Sequence, residues 1–173
     1  MTTLRSERLT LRPLAFSDAA QLLPALRDEA NMRYWSRGPL ATVDEVREYI
    51  SYNVEGKGVQ CFAITESARQ EAALGWVILI DRGEKKAELG YILRPDAQGR
   101  GIAREAIGCV LDHAFASRGL RRIYADIDPE NQRSIDAMLA LGFAYEGRLR
   151  ATWETHIGVR DSVIYSLLRS DRE

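Results

Sequence analysis

A strand, a turn with two glycines and a helix follow one another between Leu89 and Ala106, and this junction constrains the fold more than any other segment. Residues 89–93 alternate in polarity as a strand does, and Gly99 and Gly101 precede an apolar helix. Glycine lets a backbone approach an anion closely, and the first N–H groups of a helix have no partner within the helix. The segment therefore predicts an anion site, such as one for a pyrophosphate, at the start of this helix.

Two common phosphate loops do not match this turn. A Walker loop needs Gly-Lys-Ser/Thr, and a dinucleotide fingerprint needs three spaced glycines with an acidic residue about 20 positions later. The run instead satisfies Gln/Arg-x-x-Gly-x-Gly/Ala through Gln98, Gly101 and Ala103. In this it resembles the acetyl-CoA pyrophosphate loop of the GCN5-related N-acetyltransferases (GNAT), a superfamily of acyl-CoA-dependent amine acyltransferases.

A second motif begins 30 residues after Gly101. Asn131-Gln-Arg-Ser134 opens an apolar helix that is followed by Leu141-Gly-Phe143, and this resembles the next block of the same superfamily. The opening segment 8–13 and the closing segment 145–167 are similar to the branch that contains the RimJ and RimL ribosomal-protein N-terminal acetyltransferases. Each block alone is an ordinary cap or turn, but their order and spacing together favour the resemblance, which covers nearly the whole chain.

Hydrophobic periodicity and turn residues predict one domain over residues 1–173. The predicted strands and helices are, in chain order, a strand at 9–13, a helix around Leu22 to Leu26, a helix from the capping box Thr42-x-x-Glu45 to the glycines at 56 and 58, strands at 61–65, 74–80 and 87–93, a helix from 103 to Gly119, a strand at 121–128, a helix at 134–141, and strands at 145–153 and 162–168. This order predicts an α/β (α+β) fold of GNAT type, with a mixed, mostly antiparallel central sheet and helices on both faces.

Charge and composition narrow the classes of partner. The 24 basic and 25 acidic residues nearly balance and are scattered, which argues against nucleic acid or a membrane surface. The longest apolar run, Trp76 to Ile80, is too short to cross a bilayer, and no leader pattern is visible, so we expect a cytoplasmic protein. Two histidines give little material for a metal cluster, and Cys61 and Cys109 are expected to be buried free thiols.

The resemblance implies acetyl-CoA as acyl donor and no metal. It implies that backbone groups around Ile92 and Leu93, where neighbouring strands splay apart, hold the pantetheine arm. The pyrophosphate is expected on the N–H groups of the loop, formed by Gln98, Gly99, Arg100, Gly101, Ile102 and Ala103. Asn131 and Ser134 are expected to contact the cofactor or support the loop.

The catalytic groups are less strongly indicated. Many family members have a tyrosine as general acid where this chain has Met138, and methionine cannot protonate a thiolate. Ser134 is then the candidate acid, since the RimL-like branch is proposed to use this serine, although it is equally expected as a helix cap. Glu88 and Asp126, on the two strands expected to flank the reaction centre, are candidate general bases, with Glu154 as a third.

The acceptor is expected to be a primary amine, on a protein N-terminus or a small molecule, that attacks the thioester directly. Tyr34, Trp35 and Trp153 are candidate substrate-binding residues, although an aromatic side chain more often packs in the core. The alternative is a non-catalytic acyl-CoA-binding or sensing module, in which Met138 marks a lost acid. Dimerisation through the C-terminal strands is common in the superfamily and is a further expectation.

Overall fold

The computed structural model describes residues 2–172, which form one eight-stranded sheet flanked by helices. The strands are β1 (Leu4–Arg5), β2 (Leu9–Pro13), β3 (Val59–Glu66), β4 (Gly75–Asp81), β5 (Lys86–Leu93), β6 (Arg122–Ile127), β7 (Ala144–Thr155) and β8 (Gly158–Leu168). The α-helices are α1 (Ala19–Leu26), α2 (Glu29–Met32), α3 (Val43–Tyr49), α4 (Ser51–Glu55), α5 (Ile102–Ser117) and α6 (Gln132–Ala140).

The strand order is β1-β2-β3-β4-β5-β6-β8-β7, and every neighbouring pair is antiparallel except β5 and β6. The parallel pair is joined by a crossover through α5, as a parallel connection requires. The predicted mixed, mostly antiparallel sheet is confirmed.

Strand alternation sends side chains to two separate cores, one on each face of the sheet. Leu89 of β5 and Val77 of β4 pack with α5 and α6 on one face. Trp76 and Ile92 pack with α1 and α3 on the opposite face. Helices therefore cover both faces, as the sequence predicts.

Local signals in the sequence set most element boundaries. The predicted capping box at Thr42 is present, since its hydroxyl accepts from Glu45 N at 3.2 Å and Glu45 Oε2 accepts from Thr42 N at 2.9 Å. The long helix expected from this box is divided at Ile50 into α3 and α4. Gly119, which has a φ of +61°, follows the end of α5 in the left-handed conformation that commonly stops a helix.

Three details differ from the sequence expectations. The two-residue strand β1 was not predicted, and neither was the short helix α2. Cys61 is buried as expected, but Cys109 is only partly buried, beside the edge strand β1, where its Sγ donates to Arg5 O at 3.6 Å; both thiols are free.

Candidate functional site

The sheet opens between β5 and β6. These strands pair over three positions only, Lys86–Arg122, Ala87–Ile123 and Glu88–Tyr124. Beyond Glu88, β5 stays paired with β4, and beyond Tyr124, β6 stays paired with β8. The two strands therefore diverge and leave a gap in the middle of the sheet.

The backbone of β5 presents its odd-numbered residues to this gap. Lys85 O accepts from Arg121 N at 2.8 Å, so the carbonyl of residue 85 faces the β6 side. Because successive residues of a strand direct their backbone groups to opposite sides, Tyr91 and Leu93 face the same side. Their N–H and C=O groups border the gap beyond the last paired position.

The two residues predicted to hold the pantetheine differ in orientation. Leu93 faces the gap, but the Ile92 carbonyl lies against β4, where a Cβ on Gly75 would come within 2.0 Å of Ile92 O. Gly75 thus allows an unusually close approach of β4 and β5 at this point. The Ile92 side chain still lines the cleft described next.

A cleft of about 950 Å³ passes through the gap and reaches both faces of the sheet. It brings together nine of the residues singled out in the sequence: Tyr34, Trp35, Glu88, Ile92, Gln98, Asp126, Asn131, Ser134 and Trp153. The loop residues Gly99 to Ala103 are not among those that line this cleft, and neither are Leu93 and Glu154. Glu154 is exposed on β7, which leaves Glu88 and Asp126 as the predicted bases within the cleft.

The glycine loop has the geometry of an anion site. Gly99 and Gly101 have φ values of +72° and +75°, and a Cβ on Gly99 would meet no atom within 4 Å. Gly101 is the N-cap of α5, and no side chain in the described part of the chain caps this helix end. The first-turn N–H groups of a 16-residue helix are thereby left for an outside acceptor.

Arginines around the loop are mostly engaged with carboxylates. Arg100 pairs with Glu66 at 2.6 Å, and Arg8 pairs with Glu105 at 2.7 Å. Arg8 also donates to Arg100 O at 3.2 Å, which ties β2 to the loop. The loop therefore offers an anion backbone N–H groups more than the side chain of Arg100.

Gln98 connects the loop to three other elements. Its Nε2 donates to Asn31 Oδ1 at 2.7 Å and to Leu93 O at 3.2 Å, while its Oε1 accepts from Arg133 on α6. Asn31 Nδ2 also donates to Leu93 O, at 2.7 Å. The side chain of Gln98 thus holds the end of β5, α2 and α6 together at the mouth of the cleft.

Asp126 is a half-buried carboxylate on the face of β6 that is not covered by α5 and α6. Burial raises its pKa, and the charge of Glu88 adds to the rise, while the hydrogen bond from Trp153 opposes it. Trp153 Nε1 donates to Asp126 Oδ2 at 3.1 Å. A carboxylate with a raised pKa in a cleft has the properties of a general base.

Glu88 lies on the same face but is already held by a cation. Arg82 donates to its Oε2 from Nε at 2.9 Å and from NH2 at 2.6 Å, and the Tyr124 hydroxyl lies 3.2 Å from the same oxygen. An ion-paired carboxylate is a weaker proton acceptor than an unpaired one. The geometry favours Asp126 over Glu88 for removing a proton.

The start of α6 places the hydroxyl of Ser134 on the other side of the gap. Asn131 is the N-cap of α6, and its Oδ1 accepts from Ser134 N at 3.3 Å. The side chains of Ser134 and Tyr91 line the same cleft. Met138, one turn further along, is fully buried and lines the same cleft.

Tyr91 was not among the residues predicted for the site. Burial raises the pKa of its phenol, while Ser134 and the charge of Arg133 oppose the rise. Its position within the alternating run Leu89 to Leu93 suggested only a strand. The signal that could have found Tyr91 was its hydroxyl group, on the face of the strand that is covered by the helix carrying Ser134.

Aromatic side chains form the wall of the cleft on the side of α2, α3 and α4. Trp35 packs edge-on against Trp76 with ring centroids 6.2 Å apart, and Tyr49 lies 6.4 Å from the same ring. Burial raises the pKa of Tyr49 to about 12, so its phenol is neutral near pH 7. Tyr34 lines the same region, and Trp153 reaches it from β7.

Arg160 of β8 fixes the turn between β6 and α6, which the sequence did not predict. Its Nε donates to Asp128 Oδ2 at 2.8 Å, and its NH2 lies 3.0 Å from Glu130 Oε1. The arginine lowers the pKa of Asp128 against the opposing effect of burial. This pair orients the N-terminus of α6 and therefore Asn131 and Ser134.

Residues 2–172 contain no cluster of histidine, cysteine or carboxylate side chains suited to a metal ion. No helix within the same range is long and apolar enough to cross a membrane.

Comparison with known proteins shows a family match over most of the chain. The model of the acetyltransferase (GNAT) domain matches residues 8–144. An uncharacterized N-acetyltransferase, p20, of Bacillus licheniformis is 31% identical over 175 residues, covering 99% of this chain and 98% of that protein.

Two further similarities concern spermidine N-acetyltransferases. The spermidine N(1)-acetyltransferase of Escherichia coli K12 is 28% identical over 139 residues, which cover 80% of this chain and 74% of that protein. The crystal structure of spermidine N-acetyltransferase from Vibrio cholerae, in complex with CoA and spermine, has a TM-score of 0.81 and 27% identity. That match covers 96% of this chain and 98% of the other.

Proposed function

The chain belongs to the GNAT acetyltransferase family, and from this membership we propose that it transfers the acetyl group of acetyl-CoA to a primary amine by direct attack. We place it in the RimJ/RimL-like branch, and the acceptor is a small-molecule amine or a protein N-terminus. The observation that carries the proposal is the gap between β5 and β6, with the Asp126 carboxylate on one side and the Ser134 hydroxyl on the other.

The donor site follows from backbone groups. The N–H groups of residues 98–103 bind the pyrophosphate, where the positive end of the α5 dipole favours negative charge. The pantetheine arm, which carries amide groups, lies along the gap-facing backbone of Tyr91 and Leu93, with the Ile92 side chain beside it. Asn131, the N-cap of α6, holds the start of this helix beside the arm.

Asp126 accepts the proton that the amine loses as its nitrogen bonds to the acetyl carbon. The Asp126 carboxylate, which is hydrogen-bonded to the neutral Trp153 indole, can do this directly or through one water, whereas Glu88 is held by the Arg82 cation and orients the site. The departing thiolate receives a proton from the hydroxyl of Ser134 at the N-terminus of α6. The net change is one N–C bond formed, one C–S bond broken and one proton moved from nitrogen to sulfur.

The acceptor binds on the aromatic side of the cleft, between Tyr34, Trp35 and Trp153. Because spermidine acetyltransferases are 27–28% identical to this chain, alkyl polyamines are the first acceptors to test. Aromatic faces suit both a methylene chain and a protonated amine further along it. Peptide N-termini and amino sugars are the other classes to be compared.

The test is release of free CoA thiol from acetyl-CoA across polyamines, N-terminal peptides, amino sugars and aminoglycosides. We expect one class to give turnover, with the acetylated product identified by mass spectrometry. Asp126→Asn is the matched control, since it preserves the shape of the side chain. No turnover with any amine, while calorimetry shows normal acetyl-CoA binding, would contradict the proposal and favour an acyl-CoA-binding module.

A further inference from the structure

The hairpin formed by β7 and β8 contains a bulge beside the cleft. Leu149 pairs with Ser162, and Trp153 pairs with Arg160. Between these two pairs, three residues of β7 lie opposite Asp161 alone. Beyond the bulge, the strands pair regularly up to the turn of the hairpin. Since a bulge bends its strand and redirects the side chains that follow, it sets the direction of the hairpin end that carries Trp153.

The backbone within this bulge is strained, and Asp161 holds it. Ala151 has a φ of +50°, a left-handed conformation that residues other than glycine rarely adopt. Its N–H donates to Asp161 Oδ1 at 2.8 Å, and Arg148 Nε donates to Asp161 Oδ2 at 2.8 Å. Such a conformation persists only where the surrounding contacts enforce it. Asp161 supplies a contact of this kind to the strained residue itself.

Trp153 depends on the backbone for its position. It is 45% exposed, so packing leaves much of the indole unconstrained. Its Nε1 nevertheless donates to Asp126 Oδ2 at 3.1 Å. Successive side chains of a strand point to opposite faces, and Trp153 shares a face with its pairing partner Arg160. The side chain of Asp161 therefore lies on the other face, and it affects Asp126 through the backbone of β7.

Resting on the proposed transferase function, we propose that Asp161 is a positioning residue, which holds the bulge in β7 so that the Trp153 indole reaches Asp126. Without the carboxylate, the backbone N–H of Ala151 loses its acceptor and its φ returns to a negative value. The hairpin end then turns away from β6, and the hydrogen bond to the candidate base is lost.

The first test needs no acceptor and no turnover. The indole N–H signal of Trp153 is identified in proton–nitrogen NMR spectra by its absence from Trp153→Phe, and it is then followed with pH. In the native protein this signal should shift as Asp126 ionises, and Asp126→Asn should abolish the shift. We expect Asp161→Ala to abolish it as well, and a native titration in this variant would overturn the proposal. Should Asp161→Ala not fold, Asp161→Val makes the same test, since valine also lacks an acceptor oxygen and favours a strand.

Rescue separates the effect on the backbone from other roles of the carboxylate. Glycine adopts a φ of +50° without steric cost, so Ala151→Gly should restore the titration in the Asp161→Ala background. Asp161 also lines the cleft, and a direct contact between its carboxylate and a ligand would not be rescued in this way. A double variant that still lacks the titration would therefore contradict the positioning role.

Arg148→Gln is the matched control. The ion pair of Arg148 with Asp161 is exposed on the arginine side, at 56%, and such pairs contribute little. The variant leaves Asp161 Oδ1 available to the N–H of Ala151. We expect a native titration of the Trp153 signal, and its loss would assign the effect to the ion pair instead of the bulge.

Kinetics supply the second test. Asp161→Ala should lower kcat about tenfold, because the base is no longer held in place, and should move the acidic limb of the kcat/KM profile to higher pH. The charge of Glu88, which also acts on Asp126, is unchanged in this variant. Adding Trp153→Phe should cause no further movement of the limb, since both changes remove the same hydrogen bond.

Two results would count against different parts of the argument. A tenfold loss of kcat with the acidic limb in its native place would show that Asp161 has only a structural role. A native protein that acetylates no amine contradicts the proposed function instead, and the NMR titration then still decides whether Asp161 positions Trp153.

Discussion

The indole of Trp153 on β7 donates a hydrogen bond to Asp126 on β6, from Nε1 to Oδ2 at 3.1 Å, across β8, which lies between these two strands. It connects a substrate-binding candidate with a candidate base. The position of the hairpin therefore affects both the shape of the acceptor site and the proton affinity of the carboxylate.

Replacing Asp126 should separate activity from stability. We expect Asp126→Asn to lower kcat about 10²- to 10⁴-fold, the usual range for a general base. Because burial raises the pKa of Asp126 in the folded state, folding loses stability as pH rises through that pKa, and the neutral amide avoids this loss. Melting curves at neutral pH should show an unchanged or higher Tm, and a lower Tm with native kcat would contradict the assignment.

Trp153→Phe should change the pH dependence of the rate. The indole N–H stabilises the charged carboxylate, so its loss should raise the pKa of Asp126 further. A base acts only when deprotonated, and the acidic limb of the kcat/KM profile should therefore move to higher pH. Rate profiles of the two proteins measure this, and a limb that stays in place or moves to lower pH would refute it.

Glu88→Gln distinguishes the two carboxylates on this face. Since Arg82 and Tyr124 already hold Glu88, we expect a loss of kcat of about tenfold or less, through altered orientation of the site. The measurement is steady-state kinetics beside Asp126→Asn. A larger loss for Glu88→Gln than for Asp126→Asn would reverse the assignment of the base.

Gly99→Val should weaken acetyl-CoA binding about tenfold, because a β-branched residue resists a φ of +72° and alters the N–H groups of the loop. Gly83→Val is its control, since Gly83 has the same φ and equally open space but lies in the turn between β4 and β5. Calorimetry and melting curves should show similar losses of stability but weakened binding only for Gly99→Val. Equal affinities would contradict the anion site.

Gln98→Ala should lower stability more than affinity. It removes hydrogen bonds to Asn31, Leu93 and Arg133, a loss of about 1–3 kcal/mol in the free energy of unfolding. Backbone donors of the loop remain, so acetyl-CoA affinity should fall less. Gln70→Ala, which loses one exposed hydrogen bond to Ser67 O, serves as the control in denaturant titrations. A large loss of affinity with native stability would assign Gln98 to the ligand instead.

Local patterns in the sequence were enough to predict most of the fold. The Thr42 capping box, the glycine loop and the alternation in β3 to β6 depend on neighbouring residues, and all three are present in the structure. The division of the sheet into two cores follows from that alternation. The break at Ile50 and the strand β1 depend on tertiary contacts, which local spacing does not encode.

Long-range contacts within the site were harder to predict. The pairing of Trp153 with Asp126 joins residues 27 positions apart, and Arg160 reaches Asp128 across 32. Tyr91 escaped notice because its alternation with Leu89 and Leu93 suggested only strand packing. Its place in the cleft depends on where β5 and β6 diverge, which no short motif specifies.

Strands β5 and β6 pair over only three positions, so each has an unpaired edge inside the sheet. In the protein without ligand, the amides along these two edges are open to water. An extended donor arm laid along Tyr91 and Leu93 supplies hydrogen bonds in the manner of an added strand. The gap-facing amide hydrogens beyond residues 88 and 124, such as those of Tyr91 and Leu93, should therefore exchange quickly in the free protein and slowly with donor bound. Because only the folded chain has this gap, saturation with donor should also raise the melting temperature. The gap in the sheet therefore makes the stability of the fold depend on the supply of acyl donor.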